Sequence, residues 1–158
     1  MGRLIYLFAR RPNPTDECVT SSYDHISTGY DEAWTSHMRD LSTQLVDRLA
    51  PASDMEALDL TCGTGYVTGL LAEKTGQPVV GVDRSQGMIA QARASYGEAC
   101  QFVQQDILAY LKACESQRYD LVTCAWGLGY SRPLAVLRQA KRVLKPKGQI
   151  AIIDNSLF

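Results

Sequence analysis

The chain has 158 residues, 46% of them hydrophobic and 21% charged, which is enough for one domain of ordinary size with a buried core. This composition argues against disorder over most of the chain. A formal net charge of -1 gives no overall electrostatic reason to expect a nucleic-acid partner. Five cysteines without a C-x-x-C pair predict free thiols in a reducing, cytoplasmic setting.

Residues 1–20 are predicted to form an N-terminal tail and linker. An apolar run lies between Arg3 and Arg10, but it is too short to span a bilayer and lacks a signal-peptide cleavage pattern. The run fits a frayed tail or a strand packed on the body better than a weak surface anchor. Pro12 and Pro14 mark the linker that follows.

The next segment, residues 21–50, ends in a helical pattern. Large apolar residues recur at steps of three and four, which places them on one face of a helix that Pro51 closes. We expect this segment to form a helical cap over the site of the domain that follows, residues 51–158. The apolar residues of the predicted face are Trp34, Met38, Leu41, Leu45 and Leu49.

Strand-like and helix-like runs alternate from residue 56 onwards. This alternation predicts an α/β fold, a Rossmann-like doubly wound parallel sheet with helices on both faces. Ser85 is placed to cap a helix, and residues 145–148 predict a turn. The predicted strands are 56–60, 78–83, 101–104, 121–126 and 149–154, and the predicted helices are 66–74, 86–96, 107–113 and 134–144.

The stretch 57–65, A-L-D-L-T-C-G-T-G, is an apolar strand that runs into a glycine-paired turn before a helix. Such a turn lets backbone amides approach a ligand closely, which predicts a nucleotide-like cofactor across the strand end. Asp59, Asp83 and Asp106 fall at or just beyond predicted strand ends and should share one rim of the sheet. The spacing of Asp83 from the turn is typical of a carboxylate that accepts hydrogen bonds from ribose hydroxyls.

Five motifs in order give the chain a family resemblance over residues 23–154. They are L-D-L-T-C-G-T-G, V-V-G-V-D-R-S-Q-G-M, Q-Q-D-I, Y-D-L-V and R-V-L-K-P-K-G. The chain resembles class I S-adenosylmethionine-dependent methyltransferases, in the broad group that works largely on small molecules and lipids. The resemblance implies transfer of the sulfonium methyl group to a nitrogen, oxygen or carbon atom of the acceptor, with S-adenosylhomocysteine as product.

The resemblance also assigns parts of the cofactor to residues. The turn after the first strand would hold the methionine end, Asp83 the ribose, and Asp106 with the Ile107 amide the adenine. Trp126 either lines the acceptor pocket or is a core aromatic residue. The implied cofactor-binding residues are Tyr23, Tyr30, Asp59, Thr61, Cys62, Gly63, Thr64, Gly65, Asp83, Arg84, Met88, Asp106, Ile107, Cys124 and Ala125.

The catalytic residue stays unassigned. The sulfonium already carries a good leaving group, so the protein mainly positions the acceptor and excludes water. An oxygen or carbon acceptor would need a base, for which Tyr30, His25 and His37 are the candidates. Both histidines fit surface or packing roles better, and their spacing does not indicate a metal site. Cys62 fits a small residue in a tight turn better than a nucleophile.

The sequence departs from the family pattern in two mild ways and one larger way. Thr61 occupies the first glycine position of the turn, and Lys147 replaces one of the paired glycines before the fifth strand. Family members normally continue past the fifth strand with another helix and two strands. We therefore expect a fragment of a longer enzyme, with an incomplete acceptor pocket.

Other functions remain open at this point. A non-catalytic cofactor-binding homologue would keep the fold without a competent acceptor site. An NAD(P)-dependent oxidoreductase shares the glycine turn, but Thr68 breaks its G-x-G-x-x-G pattern. The basic residues of the last predicted helix and turn fit a solvated helix face better than an RNA-binding face. These residues are Arg138, Lys141, Arg142, Lys145 and Lys147.

Overall fold

The computed structural model describes residues 36–154, except for the side chains of Ser36 and His37. The helices are α1 (Ser36–Leu49), α2 (Tyr66–Thr75), α3 (Gln86–Tyr96), α4 (Ile107–Ala113) and α5 (Pro133–Val143), with a 3₁₀ turn at Leu128–Tyr130. The strands are β1 (Ala57–Leu60), β2 (Val79–Asp83), β3 (Cys100–Gln104), β4 (Tyr119–Ala125) and β5 (Leu144–Ile153).

The five strands form one parallel sheet in the order β3-β2-β1-β4-β5. β1 lies at the centre, and all four of its residues are buried, as expected for a strand covered on both faces. The chain winds outward from β1 in one direction through β2 and β3 and in the other through β4 and β5. This arrangement confirms the predicted doubly wound α/β fold.

Helices cover both faces of the sheet. On one face, α1, α2 and α3 bury Val46, Leu71 and Ile89 in a single apolar cluster. On the other face, α4 and α5 bury Leu111 and Val136 in a second cluster. The two clusters hold the sheet in place, so the loops at the carboxyl ends of its strands start from fixed positions.

The buried face of α1 is shifted from the predicted one. Val46 and Ser42 are fully buried and Leu49 nearly so, whereas Leu41 and Leu45 are only half-buried. Ser42 can be buried because it accepts a hydrogen bond from the indole nitrogen of Trp126, at 3.0 Å. A polar residue on the buried face is invisible to a pattern based on apolar spacing.

β5 begins earlier than predicted, at Leu144 rather than near residue 149. Tyr119 of β4 pairs with Leu144 and Leu121 with Gln149, so residues 145–148 face the single residue between those two partners. Lys147 adopts a left-handed conformation with φ 71° within this bulge. The segment predicted as a turn is therefore an irregularity inside the strand.

Several predictions concern residues outside the described range of 36–154. The tail and linker 1–20, the start of the cap segment 21–50, Trp34, Tyr23, Tyr30 and His25 all precede it. His37 lies in α1, but its side chain is not described. These assignments, and the division of the chain into tail, cap and main domain, stay predictions.

Candidate functional site

A pocket of about 970 Å³, part of it open to solvent, lies at the carboxyl ends of the central strands. This edge is where open parallel α/β sheets bind their ligands. Its lining combines residues from the ends of β1, β2 and β4 and the loops that follow them with one residue of α1, Arg39. The lining residues are Arg39, Asp59, Thr61, Cys62, Gly63, Thr64, Tyr66, Val67, Asp83, Arg84, Ser85, Met88, Asp106, Ile107, Ala125, Trp126, Gly127, Tyr130 and Ser131.

One wall of the pocket is the glycine loop, residues 61–65, between β1 and α2. Thr61, Gly63 and Gly65 all have positive φ, at 56°, 53° and 91°. At Gly65 a β-carbon would also lie 2.9 Å from the Phe102 ring and 3.0 Å from Tyr96, so that position needs glycine for space as well as conformation. The loop therefore turns tightly enough to bring its backbone against the pocket.

Asp59 is buried beneath the glycine loop at the end of β1. Its two carboxylate oxygens accept hydrogen bonds at 2.7 Å from the hydroxyl groups of Thr68 and Thr123. Burial is the main cause that raises the pKa of Asp59 to about 6, and the nearby charge of Asp83 adds to it, while the two hydroxyl groups oppose the rise. Asp59 thus links β1, α2 and β4, and burial raises the pKa of its carboxyl group well above the ordinary range.

Asp83 ties the end of β2 to the glycine loop. Its carboxylate accepts a hydrogen bond from the Gly63 amide at 3.0 Å and another from the Ser85 amide at 2.9 Å. Burial raises the pKa of Asp83, although both amides favour the charged form. Each carboxylate oxygen has a second lone pair, so the group can accept further hydrogen bonds from a ligand in the pocket.

Asp106 and Ile107 lie where the sequence predicts them, after β3. Asp106 caps α4 by accepting a hydrogen bond from the Ala109 amide at 2.9 Å, and the same residue lines the pocket. A capping role therefore does not exclude a ligand role, because the carboxylate has remaining acceptor sites. Met88 is buried at the start of α3, and Arg84 donates to the Tyr130 carbonyl at 2.8 Å.

Trp126 is both a core aromatic residue and a pocket-lining residue. Only 9% of it is exposed, its indole nitrogen donates to Ser42, and its backbone is left-handed with φ 64°. Core packing and pocket lining, the two alternatives for Trp126, are therefore compatible. The contact also joins α1 to the end of β4, so the position of α1 and the shape of the pocket depend on each other.

Most of the predicted cofactor residues within the described part of the chain line this one pocket, but Gly65 and Cys124 do not. Cys124 is buried behind it, 3.4 Å from the Thr61 hydroxyl group, and burial raises the pKa of its thiol to about 12. Burial also raises the pKa of the Cys62 thiol, which does not favour a thiolate nucleophile. Sequence reasoning missed seven lining residues, Arg39, Tyr66, Val67, Ser85, Gly127, Tyr130 and Ser131.

The basic residues near the end of the chain have separate contacts. Arg142 donates to the carbonyl groups of Leu111 and Cys114, at 2.6 and 2.9 Å, and so caps the carboxyl end of α4. Lys145 pairs with Glu56 at 3.1 Å and Asp120 at 2.8 Å. At least these two cations contact groups of the domain itself, so the solvated-face interpretation does not describe them fully.

Residues 36–154 contain neither a metal-ligand cluster nor a membrane-spanning helix. No cluster of histidine, cysteine, aspartate and glutamate in that range is suited to hold a metal ion. None of the helices described there has the length and apolar character needed to cross a membrane.

A family model described as a methyltransferase domain matches residues 57–148, which include β1, the glycine loop and the strands as far as the β5 bulge. The chain belongs to this methyltransferase-domain family. It is 32% identical over 154 residues to the demethylmenaquinone methyltransferase of Lactococcus lactis subsp. lactis, a match that covers 89% of this chain and 60% of that protein. The chain thus spans about 60% of the length of the curated relatives it matches.

Solved structures show the same fold at lower identity. The cyclase SpnF superposes with a TM-score of 0.76 at 21% identity, over 89% of this chain and 60% of that chain. A complex of DhpI with SAM and HEP superposes with a TM-score of 0.70 at 23% identity, over 92% of this chain and 68% of that chain. A cyclase and a SAM complex share this architecture, so the fold alone does not define a reaction.

Proposed function

We propose that this chain is the cofactor-binding part of an S-adenosylmethionine-dependent methyltransferase that acts on a small-molecule or lipid acceptor. The observation that carries the proposal is the Asp83 carboxylate, which two backbone amides hold at the pocket wall beside the glycine loop. A fixed acceptor at the end of β2 matches the two hydroxyl groups of a ribose. Family membership and the name of the Lactococcus relative support methyl transfer as the reaction.

The residues around the pocket suit the three parts of this cofactor. Asp106 and the Ile107 amide lie beyond Asp83 and suit the adenine ring, with Met88 as an apolar neighbour. The glycine loop lies on the other side of Asp83 and suits the methionine end. Cys62, Thr64, Ala125 and the buried Asp59 complete this part of the lining, and Cys124 contacts the Thr61 hydroxyl group behind it.

When bound, S-adenosylmethionine would supply a methyl carbon for in-line attack by an acceptor nucleophile, with the carbon–sulfur bond breaking as the new bond forms and S-adenosylhomocysteine as the leaving group. The chain's own task is to hold the sulfonium end still and to keep water away from it. The Asp59 hydrogen bonds fix the base of the glycine loop, and Trp126 and Ala125 line the pocket with largely apolar surface. Tyr30, His25 and His37 remain candidates for a base if the acceptor atom is oxygen or carbon.

The acceptor class and setting are parts of the same proposal. The Lactococcus relative is named for a quinone substrate, demethylmenaquinone, which supports a small apolar acceptor. Cys62, Cys100, Cys114 and Cys124 are free thiols, which supports a reducing, cytoplasmic setting. S-adenosylhomocysteine would be the product, and no nucleic-acid partner is proposed.

The NAD(P)-dependent oxidoreductase is less well supported. Its third glycine position is taken by Thr68, whose hydroxyl group is committed to Asp59 at 2.7 Å. A non-catalytic homologue would bind the same cofactor, so it differs from the proposal only in turnover. Transfer of a labelled methyl group from S-adenosylmethionine to a quinol acceptor, by a chain that spans the full length of its relatives, would support the methyltransferase. Cofactor binding without any transfer would support the non-catalytic homologue.

The ribose assignment is tested by Asp83→Asn, with S-adenosylhomocysteine affinity measured by calorimetry. The asparagine side chain has only one oxygen, so its NH₂ group faces one of the two backbone N–H groups that Asp83 accepts from. The substitution also removes the negative charge that favours hydrogen bonds from the ribose hydroxyl groups. We expect a loss of affinity of at least about tenfold. Asp54→Asn is the matched control, because Asp54 contacts Gln77 ahead of β1, away from the pocket. Equal affinities for the two variants would refute the assignment.

A further inference from the structure

The charges of the chain nearly cancel overall, but they are unevenly distributed. Residues 121–153 hold six of the 16 lysine and arginine residues and none of the 17 aspartate and glutamate residues. The rest of the chain therefore carries an excess of negative charge. The six cations all follow the 3₁₀ turn, in or beside α5 and the start of β5. The positive charge thus gathers in one part of the fold.

α5 presents two of these cations and a leucine along one outward stripe. Leu134, Arg138 and Lys141 are four and three residues apart, which places them on the same face of a helix. Leu134 is 71% exposed and is the only exposed large apolar residue of the described range, and both cations are exposed as well. The opposite side of α5 packs into the core through Val136 and Ala140. The stripe, which we call the basic face of α5, therefore points away from the core.

The basic face of α5 begins beside the pocket. Tyr130 and Ser131 line the pocket, and Leu134 follows three residues later, in the first turn of α5. Arg132, just ahead of the helix, is exposed too. A surface that bound Leu134 would therefore lie close to the wall that the loop after β4 contributes to the pocket.

The chemistry of this face suits an anionic membrane surface better than a nucleic acid. Lysine and arginine side chains are attracted to negatively charged lipid head groups, and the attraction grows with the number of neighbouring cations. An exposed leucine gains nothing from a phosphate backbone, but it does gain by entering the boundary between head groups and acyl chains. A helix with cations and an apolar side chain on its outer face is typical of proteins that lie on a membrane without spanning it.

We propose that the basic face of α5 docks the protein reversibly on anionic membranes, with Arg138 and Lys141 at the lipid head groups and Leu134 inserted between them. The docking itself does not need the cofactor. Its role rests on the proposed function, because a lipid acceptor could then pass from the membrane to the nearby pocket without crossing water.

The test is sedimentation of the purified chain with vesicles of phosphatidylcholine alone or mixed with phosphatidylglycerol in a ratio of about 2:1. We expect binding to the mixed vesicles only, and its loss at about 0.5 M salt, which screens surface charge. Arg138→Gln/Lys141→Gln should weaken binding by about tenfold to thirtyfold, and Leu134→Ser by about threefold or more. Arg48→Gln/Lys74→Gln is the matched control, since it removes two exposed cations from α1 and α2, on the other face of the sheet.

Three results would overturn the inference. Vesicle binding that the α5 variants leave unchanged would mean that another part of the chain is responsible, such as the apolar run between Arg3 and Arg10. An equal loss in the control double variant would mean that only net charge matters. Binding of a single-stranded RNA in preference to the mixed vesicles would assign the face to a nucleic acid.

Calorimetry with S-adenosylhomocysteine separates this inference from the proposed function. The variants of α5 should bind that ligand as the unsubstituted chain does, because the basic face lies outside the pocket. If no protein bound it while vesicle binding followed the expected pattern, the proposed function would fail and the docking surface would stand. Thermal melting of each variant checks that it remains folded.

Discussion

The Thr61 side chain, at the carboxyl end of β1, occupies the space where a side chain at Gly127, after β4, would lie. A β-carbon on Gly127 would lie 2.6 Å from the β-carbon of Thr61 and 2.7 Å from its methyl and hydroxyl groups. The Thr61 hydroxyl group meanwhile donates to the Leu60 carbonyl at 2.5 Å and lies 3.3 Å from the Ala125 carbonyl. The side chain that replaces the first glycine of the loop is thus accommodated by a glycine elsewhere in the chain.

Gly127→Ala should destabilise the protein by about 1–3 kcal/mol, because the new methyl group overlaps Thr61. The substitution should cost much less in a Thr61→Gly background, where the space is empty. Urea unfolding of the two single variants and the double variant measures this coupling. Gly129→Ala is a control in the same loop, since its nearest neighbour would be the Asp154 carboxylate at 3.3 Å. Additive effects of Thr61→Gly and Gly127→Ala would contradict the fit between the two residues.

Asp59→Asn should change how stability depends on pH. Burial, the largest cause, raises the pKa of Asp59 to about 6 in the folded state, above its value in the unfolded chain. The folded state therefore holds the proton more tightly, and the contribution of Asp59 to the free energy of unfolding falls as pH rises from about 4 to 6. The variant should gain up to about 3 kcal/mol relative to the unsubstituted protein across that range.

Urea unfolding at several pH values checks the effect of Asp59→Asn. The comparison is made as a difference between the two proteins, because Asp83 also has a raised pKa and contributes in the same direction to both. A difference that stays constant from pH 4 to pH 7 would show that the Asp59 carboxyl group does not titrate abnormally.

Ser85→Ala should lower the stability of the protein without changing its affinity for the ligand. The Ser85 hydroxyl group accepts a hydrogen bond from the Met88 amide at 3.2 Å, so its removal should destabilise the protein by about 1 kcal/mol. The bond from Ser85 to Asp83 comes from the backbone amide and survives the substitution. We therefore expect S-adenosylhomocysteine affinity within about twofold of the unsubstituted chain, by calorimetry. Ser95→Ala, exposed on the same helix, is the stability control.

Arg142→Met should destabilise the protein by about 1–3 kcal/mol, since the carbonyl groups of Leu111 and Cys114 lose a charged donor at the end of α4. Arg138→Met, one turn earlier and exposed, should have little effect. Thermal or urea unfolding measures both. Equal stability of the two variants would show that Arg142 acts only as part of a solvated charged face.

The sequence predicts most accurately those elements whose ends are fixed by neighbouring residues. The first residues of α3 and α4 agree with the prediction because Ser85 and Asp106 cap these helices by accepting hydrogen bonds from amides three residues further on. The start of β5 was predicted wrongly because it depends on pairing with β4, where four residues face one. A register of that kind is set by contacts distant in sequence, which local patterns do not contain.

The same distinction applies to the candidate site. Asp59, Asp83 and Asp106 were found from the sequence because each lies at or just beyond the carboxyl end of a strand in a recognisable motif, and parallel pairing brings strand ends together. Arg39 and Gly127 were missed because they join the pocket through the packing of α1 and the space beside Thr61. In the sequence they are one polar residue of a helix and one glycine of a loop, without a motif of their own.

The most direct test of the central claim is calorimetric titration of the purified chain with S-adenosylmethionine, S-adenosylhomocysteine and NADH in parallel. The account predicts binding of the first two ligands with one site per chain and no measurable binding of NADH. Binding of NADH in their place, or binding of none of the three by a sample that melts cooperatively, would contradict the assignment of the pocket to S-adenosylmethionine.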